Sequence, residues 1–317
     1  MISRRILRIK ILQLLYAYYK SSGSSINKAE KELFFSIQKT YDLYHYLLLL
    51  IIDIADYALT RIDIAKNKKI PTWEDLHPNT KFVENKLILQ LRNNRELNEY
   101  LKNNKLSWVN YPELIRNLFN NIRESEHYKE YMNNSNRTYE EDKKLISDIY
   151  VKNIAVFEPL YQNLEEQSIY WNDEAEFVIS IILRTIKNFK EANGENGIIP
   201  PLFKNEEDKK YAKRLFRKAI LNKEEYRKLI EQYAKNWEIE RIAFFDILIL
   251  QTAIAEVIEF TSIPTKVTFN EYLEIAKFYS TDKSSIFING LLDKIVSHLK
   301  DNNMIKKSGR GLVGENE

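Results

Sequence analysis

The chain has 317 residues, 44% hydrophobic and 29% charged, the make-up of a folded globular protein with length enough for two compact cores. A formal net charge of +3 excludes the strongly basic balance of a general nucleic-acid binder, so any basic site must be local. With no cysteine, disulfides, thiolate zinc sites and cysteine nucleophiles are excluded, and a reducing cytoplasm is the compatible compartment.

Glycine and proline number seven each, so long stretches lack a backbone breaker and helix is the default. Residues 2–20 read as a first helix, whose basic residues interrupt any signal-peptide pattern. A second periodic segment, 26–66, is either one long helix or two. Its most apolar run, 47–54, contains Asp53 and is too short to span a bilayer, so no membrane association is expected. Pro71 and Pro78 bracket a linker. Helical patterns follow at 80–103, 112–132, 138–155, 157–168 and 172–192, with Pro112 and Pro159 at expected helix starts. The stretch NGENGIIPP at 193–201 is the clearest linker. Beyond it, helices are predicted at 205–220, 222–236, 238–260, 266–279 and 284–299, with Ser280, Thr281 and Asp282 as N-cap candidates for the last. From residue 301 the polar, glycine-containing sequence reads as a flexible tail. No strand-type alternation is present, so the fold class is all-α.

Catalytic chemistry finds no support. His45, His77, His127 and His298 are scattered without metal-ligand spacing, so no metal site is expected. No nucleophile elbow or phosphate-binding loop occurs, and Gly194 and Gly197 lie in the linker with no strand before them. No catalytic residue and no cofactor are assigned.

The first helix carries the sharper signal. Arg4, Arg5 and Arg8 share an arc of about 100° on a helical wheel, and residues 1–20 contain no acidic side chain. Leu12 and Leu15 continue the same arc, which implies a helix anchored by its C-terminal half. Three guanidiniums at the free end would suit single-stranded RNA, since guanidiniums bind phosphates bidentately and stack on bases. Tyr16 lies near Arg5 on the wheel and offers a stacking face. The alternative is a basic, solubilising N-terminus with Tyr16 half-buried. A second basic face, Lys209, Lys210, Lys213, Arg214, Arg217 and Lys218, reads as a solvated helix face or an extension of an RNA surface.

The segment Trp237 to Lys294 is the most distinctive. It contains IPTKVTFNEYLEIAK and then FINGLLDK, preceded by a helix apolar nearly all round. Ile288, Leu291, Leu292 and Ile295 form the core stripe of the last helix. Gly290, costing about 1 kcal/mol relative to alanine in mid-helix, suggests a close helix crossing. These patterns, with RRILRIKILQLLYAY at the start, resemble the NusB family of transcription antitermination factors. The resemblance covers about 1–20 and 205–299. It implies a NusB-like helical domain formed by 1–22 and 202–300, with 25–200 as an additional all-helical insertion domain.

The resemblance further implies binding to the boxA element, a single-stranded segment of ribosomal RNA leaders. The partner would be NusE, the ribosomal small-subunit protein that doubles as an antitermination factor. The assembly joins the RNA polymerase elongation complex and suppresses premature termination. Arg4, Arg5 and Arg8 match the arginine-rich motif, whose remaining basic position is Ile6 here. Tyr16 and Phe287 match aromatic positions near the RNA. Asp246, with Asp282, matches the acidic NusE-facing side. The chain departs from the pattern at Ile286, Lys283 and Gln251, where the family has a basic, an acidic and an arginine residue. Each match has a structural alternative: Phe287 wholly buried, Asn289 and Gly290 serving helix packing, Asp246 capping its own helix. Two other functions stand beside antitermination. An RNA cytosine methyltransferase with a NusB-like domain would need cysteine chemistry that this chain lacks, whereas a non-enzymatic protein–protein adaptor on this fold remains compatible.

Overall fold

A computed structural model describes residues 1–21, 25–234, 242–281 and 284–313. Among them no β-strand occurs; an isolated bridge joins Ile2 to Phe203. The helices are α1 (Arg4–Lys20), α2 (Ile26–Lys66), α3 (Trp73–Leu76), α4 (Lys86–Arg92), α5 (Arg95–Asn104), α6 (Pro112–Glu124), α7 (Glu126–Asn133), α8 (Tyr139–Lys152), α9 (Glu158–Gln167), α10 (Ala175–Asn188), α11 (Glu206–Leu221), α12 (Lys223–Tyr233), α13 (Phe244–Glu259), α14 (Thr265–Tyr279) and α15 (Ser284–Asp301). The protein is all-α, and no described helix is long and apolar enough to cross a membrane.

The segment 26–66 forms one helix, as its lack of any Gly or Pro allows. The predicted 80–103 helix is instead two. Asn93 caps the end of one and Asn94 starts the next: the Asn94 side chain accepts from the Leu97 N–H at 2.9 Å and donates to the Gly197 carbonyl at 2.7 Å. The predicted 112–132 helix also breaks, at Ser125, whose hydroxyl donates to the Ile122 carbonyl at 2.5 Å. Short polar side chains that compete for backbone groups end helices in this way without glycine or proline.

The chain divides into two compact units. A terminal unit comprises Ile2–Ile37 and Phe203–Glu317, and a central unit comprises Met1 and Gln38–Leu202. The division falls inside α2, not at the sequence break before residue 25. The first turns of α2 belong to the terminal unit because Leu33 and Ile37 are buried and Glu30 is gripped by Lys213 and Arg217.

The central unit is built around the apolar stretch of α2. Tyr46 stacks on Trp108 at 3.8 Å between ring centroids, and the indole N–H donates to the Tyr46 carbonyl at 2.9 Å. Buried hydroxyls find acceptors, as with Tyr150, which donates to the Leu47 carbonyl at 2.8 Å. The 193–201 linker packs onto this unit, with the Gln90 amide donating to the carbonyls of Lys190 and Gly194.

In the terminal unit α13 is the central helix, contacting α1, α11, α12, α14 and α15. Its all-round apolar sequence answers to this position, since each face meets a neighbour. The predicted core stripe of α15, Ile288, Leu291, Leu292 and Ile295, is buried. The segment after α15 departs from the expected flexible tail. Lys307 Nζ donates to the carbonyls of Val257 and Phe260 at 3.0 and 3.2 Å, capping the open end of α13. The Ser308 N–H donates to the Thr261 carbonyl at 3.0 Å. A few polar contacts to backbone groups therefore dock a segment whose apolar residues Met304, Leu312 and Val313 stay exposed.

Candidate functional site

The first turns of α1 and α14 line an open groove of about 890 Å³, together with the α13–α14 loop and the docked C-terminal segment. Neither helix has an acidic residue in its first turn, so their positive dipole ends are not offset there. Four arginines, Arg4, Arg5, Arg8 and Arg310, line the groove with one carboxylate, Glu271.

The three arginines of α1 have different surroundings. Arg5 is half exposed and forms a bidentate pair with Glu271, Nε and Nη2 each at 2.9 Å. Arg4 donates through Nε to Asp208 at 2.9 Å and lies over the Tyr211 ring, 5.0 Å from its centroid. Arg8 is not the exposed ligand expected from the sequence: its side chain is 3% exposed. It grips Glu256 in two hydrogen bonds, Nε to Oε2 at 2.8 Å and Nη2 to Oε1 at 2.7 Å. The cause is the helical arc that Arg8 shares with buried Leu12 and Leu15, which turns it to the core. Glu256 also accepts from the hydroxyls of Tyr211 (2.5 Å), Thr268 (2.8 Å) and Tyr272 (3.3 Å). Burial works against ionised Glu256, but the Arg8 charge and these hydrogen bonds outweigh it and hold the carboxyl below its ordinary range. Burial likewise opposes the Arg8 charge, and Tyr211 and Glu256 reverse the balance, raising its pKa.

Tyr16 is 43% exposed and does not stand alone. Its ring lies 5.6 Å from Phe244 and 6.4 Å from Phe245, and Phe245 lies 6.3 Å from Tyr279. Lys20 Nζ sits 4.8 Å from the Phe244 centroid. These rings form an aromatic ridge about 16 Å along α1 from Arg5 at 1.5 Å per residue. Phe244, Phe245 and Tyr279 were not singled out from the sequence. Their signal there was an FF pair at the start of an apolar helix, which reads equally as core. Phe287 is partly buried.

Asp246 is not presented to a partner. It is 4% exposed, and its carboxylate accepts from the hydroxyls of Ser280 and Ser284, the latter at 2.6 Å. It ties the start of α13 to the start of α15, a structural role other than the capping of its own helix that was the alternative. Asp246→Ala would leave two serine hydroxyls without this acceptor and should cost about 1–3 kcal/mol in urea denaturation, with Asp246→Asn recovering part. Asp282 and Lys283 lie outside the described residues. Gly290 contradicts the expected helix crossing: it is exposed, and a Cβ there would have nothing within 4 Å. Ile286 beside it is 78% exposed. Gln251 is buried and donates to the Ala219 carbonyl at 2.6 Å and to Tyr19 Oη at 2.8 Å.

The second basic face is largely compensated. Lys213 and Arg217 share Glu30, and Arg214 and Lys218 share Glu259, leaving Lys209 and Lys210 exposed. No group of three or more His, Asp or Glu side chains among the described residues could hold a metal ion.

The terminal unit is thus an all-helical scaffold with an arginine-lined groove at one end of α1 and an aromatic ridge near the other. The family model that matches the chain is the NusB family, over residues 185–297. A transcription antitermination protein NusB of Salinibacter ruber is 42% identical over 114 residues, 36% of this chain and 71% of that protein. The protein of the same name from Chloroherpeton thalassium is 41% identical over 118 residues, 37% of this chain and 56% of that one. That from Alkaliphilus oremlandii is 41% identical over 91 residues, 29% and 66%. The solved structure of T. maritima NusB (P3121, form 2) matches with 28% identity, covering 45% of this chain and 87% of that one at a TM-score of 0.28. The chain belongs to the NusB family, on the strength of the sequence matches.

Proposed function

We propose that this protein is a non-enzymatic transcription antitermination factor that binds boxA-type single-stranded RNA of ribosomal RNA leaders together with NusE. In this reading it joins the RNA polymerase elongation complex and suppresses premature termination. Membership of a family whose relatives carry the antitermination name supports the role. The observation that carries the RNA reading is the pairing of Arg4 and Arg5 at an open groove with a half-exposed aromatic ridge that Tyr16 of the same helix forms with rings of α13 and α14. Guanidiniums grip phosphates while bases stack on rings, and Tyr16 is the best exposed of the ridge's rings. Arg8 acts by fixing α1 rather than by touching RNA. Phe287 serves as a secondary aromatic contact, and Asp282 is the remaining acidic candidate on the NusE side.

A protein–protein adaptor is the second reading. It draws on the carboxylate partners of Arg4 and Arg5 and on exposed Ile286 and Phe278, which suit a protein surface.

Fluorescence anisotropy with a labelled boxA-like RNA and a scrambled control, with and without NusE, separates them. Wild type is compared with an Arg4→Ala/Arg5→Ala variant, Arg8 being left intact to preserve the core. The antitermination reading expects selective binding, strengthened by NusE, with a steep salt dependence that flattens in the variant. Equal, weak binding of both RNAs that ignores the substitutions would transfer the assignment to the adaptor.

A further inference from the structure

Each arginine that α1 brings to the groove already has a carboxylate: Arg4 with Asp208, Arg5 with Glu271 and Arg8 with Glu256. An anion entering the groove would meet little uncompensated charge from α1 alone. Arg310 differs. It is exposed, lines the same groove and has no carboxylate partner among the described residues.

The segment carrying Arg310 is held in place by specific backbone geometry. Lys307 and Ser308 fasten it to the end of α13 and to Thr261, and the Ser308 hydroxyl lies 3.0 Å from that of Thr261. Gly309 has φ +55°, in the left-handed region that favours glycine. Gly311 lies so close to the Thr261 backbone that a Cβ would fall 1.9 Å from its carbonyl oxygen. Only glycine fits there. The two glycines flanking Arg310 thus let the segment lie flat on the α13–α14 loop and direct the arginine to the groove.

We infer that the docked C-terminal segment is part of the RNA site and that Arg310 is a phosphate-contacting residue supplying the groove's uncompensated positive charge. The inference rests on the RNA-binding reading above and adds a second chain segment to it.

The test is anisotropy of full-length protein with the same labelled boxA-like RNA across a salt series. The variants are Arg310→Ala, Arg310→Lys and Gly311→Ala, with Arg5→Ala as a comparator from α1. Arg310→Ala should weaken binding about fivefold at low salt and reduce the slope of log K against log salt by about 0.7, the loss of one single-strand phosphate contact. Its thermal midpoint should be unchanged, the side chain being exposed. Arg310→Lys should keep most of the affinity, whereas Gly311→Ala should reproduce the loss by displacing the segment. If Arg5→Ala weakens binding while Arg310→Ala leaves affinity and slope as in wild type, the inference fails and the RNA reading stands. If the wild type binds no RNA, both fail.

Discussion

Glu256→Ala should lower stability by about 3–5 kcal/mol, because it leaves the Arg8 guanidinium buried with only its longer, 3.4 Å contact to Glu271 as counter-charge. Three hydroxyls, those of Tyr211, Thr268 and Tyr272, lose their acceptor in the same step. An Arg8→Met/Glu256→Leu double variant removes both charges and should recover part of the loss, the remainder reflecting those orphaned hydroxyls. The pH dependence has a defined sign. The native Glu256 carboxyl lies below its ordinary value of 4.5, so native protein binds fewer protons than the unfolded chain in that range. The pair's contribution is complete above about pH 4.5 and declines as pH falls through the native value. Urea midpoints measured from neutral pH downward should show the gap between wild type and Glu256→Gln narrowing on acidification. A gap independent of pH would mean that Glu256 is not ionised in the native protein.

This pair also shows how much of the site was legible in the sequence. The arc holding Arg4, Arg5 and Arg8 was visible, and so was its continuation into Leu12 and Leu15. Those leucines fix the arc as core-facing, which leaves only the residues nearest the helix end outside the core. The complementary signal was Glu256, a lone carboxylate inside an otherwise apolar run; a charge there demands a buried partner. Joining the two across 248 positions required the fold. The all-α class and the stripe of α15 were legible because they rest on local periodicity. The docking of 302–313 was not, since it depends on backbone contacts that leave no apolar pattern. Gly290 misled for a related reason: a glycine marks close approach or conformational freedom, and the sequence does not say whether anything approaches.

The carboxylates that partner the α1 arginines bear on function as well as on folding. A surface guanidinium held bidentately by Glu271 is already oriented, so in the antitermination reading RNA binding would exchange one partner for another rather than order a free side chain. On the same reading such a site would be weak for a generic polyanion and would depend on what else the ligand engages, here the aromatic ridge around Tyr16. Selectivity for a short single-stranded element over bulk RNA follows from that arrangement in the antitermination reading.

Trp108→Ala should destabilise the central unit by about 3–5 kcal/mol while leaving RNA affinity unchanged. The indole is 1% exposed, stacks on Tyr46 at 3.8 Å and donates to its carbonyl, so alanine removes both packing and a hydrogen bond in one core. Trp108→Phe, which keeps an aromatic ring and loses the N–H, should cost less. Hydrogen exchange should rise within 38–202, where the Trp108 core lies, and much less in α13 and α15. Every residue of the proposed RNA site, Arg4, Arg5, Tyr16, Phe287 and Arg310, belongs to the terminal unit. Unchanged RNA affinity would therefore show that RNA binding does not depend on the stability of the central unit. Affinity that declines in step with the central unit's stability would mean that this unit takes part in RNA binding itself.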